Sequence, residues 1–372
     1  MVHIYKMGQK NIVMDIYSGA VHVVDDCVYD ILGLLGPDSF TKEQSCPVDI
    51  LEKLRETYTA DQVEEAYEEI CELVDEHMLY TNDIYKEVAK DWHKKSYIKA
   101  LCLHVAHDCN LRCKYCFAST GSFEGTRGIM NAETAKRAID FLVQNSGERH
   151  NLEVDFFGGE PLMAFDTVKQ TVLYARSIEK QYDKNFRFTI TTNGILLDDE
   201  VEAFINEHMS NVVLSLDGRR EINDEMRGRG SYDKIVPKFQ KIAEDRHQTN
   251  YYIRGTFTAK NLDFANDVLH FADLGFKQTS VEPVVEDEPG HDYEIKSEHL
   301  PQIFDEYEKL AFEYVKRKKE GNGFNFFHFM VDLNQGPCIV KRMSGCGAGH
   351  EYVAVTPEGD IYPCHQFVGN HA

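Results

Sequence analysis

The sequence lacks an export signal, since Met1–Lys10 shows no cationic flank followed by an apolar run. It also lacks any stretch of about 18 apolar residues, which excludes membrane-spanning helices. Both absences point to a soluble, cytoplasmic protein with no membrane partner. Internal repeats and low-complexity tracts are missing too, which sets aside solenoids and disordered arrays. Positive charge is scarce: 40 Lys and Arg face 62 Asp and Glu, a formal net charge of −22. Such a balance repels phosphate backbones and disfavours nucleic-acid binding. The 16 histidines form no H-x-x-x-H pairing. Cysteine, by contrast, is plentiful. Ten thiols without an export signal argue against a disulfide framework and for metal ligands or core thiols.

The 372 residues, 42% hydrophobic, suffice for one large domain and one or two smaller ones. Residues 12–16 and 20–24 alternate like half-buried strands around Tyr17-Ser18-Gly19. A helix capped at Asp25 or Asp26 follows, with Val28, Ile31, Leu32 and Leu35 on one face, and ends at Gly36-Pro37. A second helix carries Val63, Ala66, Tyr67, Ile70 and Val74, and Met78-Leu79-Tyr80 reads as a returning strand. Residues 1–84 are thus expected to form a winged-helix-like unit, and 85–97 a polar linker. Strand and helix signals then alternate, with strands near 98–105, 151–157, 185–191, 211–216, 250–258 and 278–283. That order predicts an α/β fold, a partial (βα)6 TIM-like barrel over 98–320. Residues 321–372, rich in cysteine and holding a turn at Pro357-Glu358-Gly359-Asp360, read as a separate module.

After the first barrel strand, Cys109, Cys113 and Cys116 place three thiols within eight residues, so one loop can wrap one metal centre. Three thiolates on a four-iron cube leave one iron open to a ligand. Structural zinc, which prefers a fourth protein ligand, and buried core thiols are the competing readings. The active site of such a barrel is built at the carboxyl ends of its strands. There the sequence has Gly158-Gly159-Glu160-Pro161, Thr192-Asn193-Gly194, Ser215-Leu216-Asp217-Gly218, Arg254 and Glu282-Pro283. The glycines suit close backbone approach to a ligand, Glu160 can accept from an ammonium group, Ser215 and Asp217 suit ribose hydroxyls, and Arg254 suits a carboxylate. Each motif alone is an ordinary turn signal or surface charge. Cys27, Cys46, Cys71 and Cys102 lack ligand spacing and read as buried thiols.

These residues resemble the radical S-adenosylmethionine (SAM) superfamily, whose C-x-x-x-C-x-x-C signature matches Cys109, Cys113 and Cys116. The resemblance covers 98–283. It implies that the open iron of a 4Fe-4S cluster binds SAM, that Tyr115 sits beside the adenine and that Gly158–Pro161 contact the methionyl amine. Thr192, Asn193, Ser215, Asp217, Arg254 and Glu282 complete the implied cofactor site. Cys338, Cys346 and Cys364 resemble the first half of a SPASM domain, which holds one or two auxiliary 4Fe-4S clusters. The family's further C-x-x-C-x5-C-x3-C run has no counterpart before Ala372. Either the chain is truncated, the favoured expectation, or His365, His371 or a substrate thiol completes a cluster.

The N-terminal unit resembles the leader-recognition element of enzymes that mature ribosomally made peptides. Tyr5-Lys6-Met7 and Met14–Asp25 look closest to maturases of SCIFF peptides, which are rich in cysteine. The resemblance implies an oxidoreductase that uses a 5'-deoxyadenosyl radical to link a cysteine sulfur to an α-carbon. Its implied partners are a cysteine-rich precursor peptide held through its leader and a reductant such as flavodoxin or ferredoxin. Two alternatives stay open: an anaerobic sulfatase-maturing type of enzyme, and a cluster-binding regulator with a DNA-reading head.

Overall fold

In a computed structural model, which describes residues 1–38, 40–91, 97–285, 290–333, 336 and 338–369, the chain divides into two units. One comprises residues 1–95 and 331–346, the other 96–330 and 347–372. No helix among the described residues is long and apolar enough to cross a membrane.

In the first unit, β1 (Val2–Met7), β2 (Lys10–Asp15) and β3 (Val21–Val24) form an antiparallel sheet in that order. Helix α1 (Asp26–Leu35) begins where Asp25 accepts the Val28 N–H at 2.8 Å, which satisfies an otherwise orphan donor. It stops at Gly36, whose φ of 82° suits glycine. After α2 (Val48–Leu54), helix α3 (Ala60–Asp75) starts with a reciprocal Thr59–Gln62 capping box. Val28, Ile31 and Leu32 of α1 join Val63, Tyr67 and Ile70 of α3 in one core. The strand expected over 78–80 does not form. His77 and Tyr80 adopt left-handed φ values of 58° and 48°, and Thr81 is bonded through N–H and hydroxyl to buried Asp15. The third strand is instead β1. Where the linker was expected lies a short α4 (Lys86–Ala89), and 92–96 fall outside the described residues.

The second unit runs β4 (Ala100–Ala106), α5 (Ala132–Asn145), β5 (Asn151–Gly158), α6 (Phe165–Tyr182), β6 (Asn185–Thr192), α7 (Asp199–His208), β7 (Asn211–Ser215). It continues with α8 (Arg220–Arg227), α9 (Ser231–Asp245), β8 (Tyr251–Phe257), α10 (Ala265–Asp273), β9 (Gln278–Pro283) and α11 (Leu300–Lys319). All six expected barrel strands are present. They pair in parallel, and the alternation that announced them has a plain cause. Leu152, Val154 and Phe156 of β5 and Phe186, Phe188 and Ile190 of β6 face the core. The intervening Asp155, Phe157, Thr189 and Thr191 face the other way. Strand β4 is buried throughout, as a parallel strand covered on both faces should be.

The tail does not stand as one module over 321–372. Strand β10 (Asn325–Phe326) pairs with β9, and α12 (Ile339–Ser344) belongs to the first unit, where Gly336 lies against the Ser18 carbonyl. Strand β11 (Tyr352–Val355) pairs in parallel with β4, and β12 (Ile361–Tyr362) returns antiparallel across the expected turn. The resulting sheet, β10-β9-β8-β7-β6-β5-β4-β11-β12, stays open at both edges and has the character of a partial barrel.

Candidate functional site

The loop after β4 carries the three clustered cysteines, and local bonds fix its path. Asp108 accepts the Cys109 N–H at 2.8 Å and pairs with Arg127, which also donates to the Thr120 hydroxyl at 2.9 Å. The Leu111 N–H points at the Cys109 sulfur at 3.4 Å, and the Lys114 N–H donates to the Met226 carbonyl at 2.9 Å. The three thiols, Tyr115, Gly158, Gly159, Glu160, Thr192, Asn193 and Ser215 border one cavity. Carboxyl ends of successive strands meet there, as the barrel geometry requires.

The neighbouring turns lock onto this loop. A Cβ on Gly158, at φ 122°, would run into the Ala106 carbonyl, and one on Gly159 into the Asp108 carbonyl. These glycines therefore permit close contact between two strand ends, and both also border the cavity. Glu160 is fully enclosed. Its Oε1 accepts from Leu162 N–H at 3.1 Å and the Thr192 hydroxyl at 2.8 Å, its Oε2 from Asn193 N–H at 2.8 Å. Burial pushes its carboxyl up to about 7, with those donors pulling the other way. The Asn193 amide donates to Asn110 at 2.8 Å and points at the Cys109 sulfur at 3.6 Å. Pro161 opens a buried 3-10 turn behind this contact.

Asp217 was expected to face ribose hydroxyls; it is fully buried and braces the cysteine loop instead. Tyr115 and Arg227 donate to it at 2.8 Å and the Thr256 N–H at 3.1 Å. Arg254 of β8 and Glu282 of β9 form an ion pair at 3.7 Å. Glu282 also accepts from Ser280 at 2.7 Å and pairs with His328 Nε2 at 2.9 Å, while His328 Nδ1 meets the Tyr307 hydroxyl at 2.8 Å. The bond to His328 holds the Glu282 carboxyl down at about 2. Arg227, His328 and Tyr307 escaped the sequence reading. For Arg227 a signal existed: Asn223, Met226 and Arg227 share the buried face of α8 at i, i+3 and i+4.

Residues 103–259 match the Radical SAM superfamily. This segment is a radical SAM domain. The chain is 28% identical over 280 residues to a protein of Archaeoglobus fulgidus, covering 73% of this chain and 62% of that one. It is 24% identical over 288 residues to a cysteine-type anaerobic sulfatase-maturating enzyme of Clostridium novyi, covering 71% and 72%. Two solved structures share the fold. Native anSMEcpe with bound AdoMet gives a TM-score of 0.60 at 20% identity over 72% of this chain and 75% of that one. Streptococcus suis SuiB gives 0.53 at 16% identity over 100% and 83%.

The donor set of the radical SAM domain fits a 4Fe-4S cluster with SAM. A cube takes its thiolates on separate irons, so its ligands must border a shared cavity, as these three do. Among the described residues, no three His, Cys, Asp or Glu side chains converge on a single ion, the arrangement a zinc site requires. Burial pushes the Cys109 thiol up and the Cys113 thiol to about 12, so loading metal must release protons. The buried Nε of Arg227, which also borders the cavity, has no partner among the described residues.

Of the tail cysteines, Cys338 and Cys346 are exposed in the first unit and Cys364 is half-buried in the second, and His371 lies outside the described residues. Cys27, Cys46, Cys71 and Cys102 are buried, as expected of core thiols.

Proposed function

We propose that this protein is a radical SAM peptide maturase that installs thioether links, cysteine sulfur to α-carbon, in a cysteine-rich, ribosomally made precursor peptide. The observation that carries the reading is one chain holding both a three-thiol cavity and a separate unit with a strand edge suited to peptide addition. Strand β3 pairs with β2 on one side, no described strand pairs with its other side, and Val21 and Val23 are exposed along it. A leader peptide can join such an edge by main-chain hydrogen bonds. The SuiB likeness extends over that unit, and SuiB has been solved with its precursor peptide SuiA, whereas the anSMEcpe likeness spans 72% of the chain.

When bound, the cluster and SAM supply reductive cleavage of the sulfonium and abstraction of a substrate hydrogen. This chain's residues do the positioning. Cys109, Cys113 and Cys116 hold the cluster, Asn193 and Glu160 tie the cysteine loop to the ends of β5 and β6, and Asp217 clamps Tyr115. Gly158, Gly159, Thr192 and Ser215 shape the wall that receives SAM, with Arg254 available to its carboxylate. Glu282, held ionised by its bond to His328, pairs with Arg254 and fixes its position. The tail thiols are proposed ligands of an auxiliary cluster, and no step is routed through it.

The sulfatase-maturing reading has its own support in the Clostridium novyi relative. Anaerobic incubation with SAM, dithionite and a synthetic Cys/Thr-rich peptide separates the two. Thioether formation removes two hydrogens per link and consumes a thiol without creating an aldehyde. A hydrazine-reactive aldehyde would favour the alternative, and absence of 5'-deoxyadenosine would overturn both.

A further inference from the structure

Arg227 closes α8 on its buried face and is, among the described residues, the only cationic one bordering the cavity of the three cysteines. It is about nine-tenths buried, at 9% exposure. One guanidinium nitrogen donates to Asp217 at 2.8 Å, and the group lies 5.8 Å from the centre of the Tyr115 ring. Its Nε is enclosed and has no acceptor among the described residues. A buried donor is costly to leave unmade, so a site built this way anticipates an acceptor that arrives later.

Placement says which acceptor. The Lys114 N–H bonds to the Met226 carbonyl, so the residue after Cys113 is joined to the residue before Arg227. Every other ionisable group on the cavity wall is an acid: the three thiols, Tyr115 and Glu160. Loading the cavity with an iron-sulfur group adds sulfur acceptors and negative charge beside the one fixed cation.

We propose that Arg227 is a positioning residue for the cluster, its Nε–H donating to a sulfur of the bound group and its charge favouring the reduced form. Hydrogen bonds to cluster sulfurs and nearby charge set reduction potentials, and both push in the same direction here. The inference rests on the reading of Cys109, Cys113 and Cys116 as cluster ligands. Lysine separates its two components, because it keeps the charge and lacks the Nε donor.

The test uses full-length protein, reconstituted anaerobically, labelled with 15Nε-arginine and reduced without SAM. Pulsed EPR of the wild type should show a 15N coupling to the cluster that vanishes in Arg227→Lys. Redox titration should show Arg227→Gln shifting the oxidised-to-reduced ratio about tenfold, about 59 mV more negative for one electron, and Arg227→Lys shifting it less. A wild-type protein with full iron and sulfide content but no 15N coupling overturns the assignment, even if the variants fail to fold. An unchanged midpoint in both variants overturns it too. Wild-type protein that takes up no iron and sulfide overturns the ligand reading beneath it, a separate result.

Discussion

The Tyr115 hydroxyl lies 2.8 Å from both carboxylate oxygens of Asp217, joining the cysteine loop to the end of β7 across 102 residues of sequence. The same carboxylate takes Arg227 and the Thr256 N–H, so one buried acid organises three segments around the cavity. Two substitutions separate these roles. Tyr115→Phe removes one donor and should cost about 1–3 kcal/mol. Asp217→Ala strands the buried Arg227 charge and should cost about 3–5 kcal/mol. Urea unfolding of metal-free, reduced protein measures both, and equal costs would refute the ranking.

Gly158→Ala forces a Cβ into the Ala106 carbonyl at a φ of 122°, and roughly 1–3 kcal/mol of stability should be lost. Gly125→Ala, where the nearest atom is 3.5 Å away, should stay within about 0.5 kcal/mol. Thermal melts of the two variants side by side check the contrast.

Replacing Cys109, Cys113 and Cys116 by alanine should abolish one cluster's complement of iron and sulfide on anaerobic reconstitution. Replacing Cys338, Cys346 and Cys364 lowers the content further if the proposed auxiliary site binds. Colorimetric iron and sulfide assays read both. Since burial holds the Cys109 and Cys113 thiols protonated, uptake should also release protons, measurable in weakly buffered solution.

The Glu282 carboxyl is held at about 2, below the unfolded value of about 4.3. A depressed acid stabilises the fold above its unfolded pKa and loses that contribution as pH falls through the folded one. The stability difference between wild type and Glu282→Gln should therefore be full above about pH 5 and vanish near about pH 2. Partial exposure of the Glu282 side chain limits it to about 1 kcal/mol. Urea midpoints across that range test it, and a difference independent of pH would assign the effect to packing alone.

What the sequence disclosed follows from range. The six barrel strands announced themselves because residues such as Leu152, Val154 and Phe156 must alternate to fill a core, a constraint written locally. Strand β1 was missed since most of Val2–Met7 is exposed, and β10 because two residues carry no period. The three cysteines and the turns at the strand ends were legible from spacing. The bracing role of Asp217 and the line from Glu282 through His328 to Tyr307 depend on contacts up to 102 residues apart, which no local pattern encodes.

Strand β11 covers β4 from Ala100 to Leu103, the strand that leads straight into the cysteine loop. Cutting the chain before Tyr352 would strip that shield and offer the bare amides and carbonyls of an entirely buried strand to any neighbour. Shortened forms should thus stick to one another before they lose their thiols' geometry, and failure to handle such a fragment would speak of an uncovered flank, not of missing chemistry.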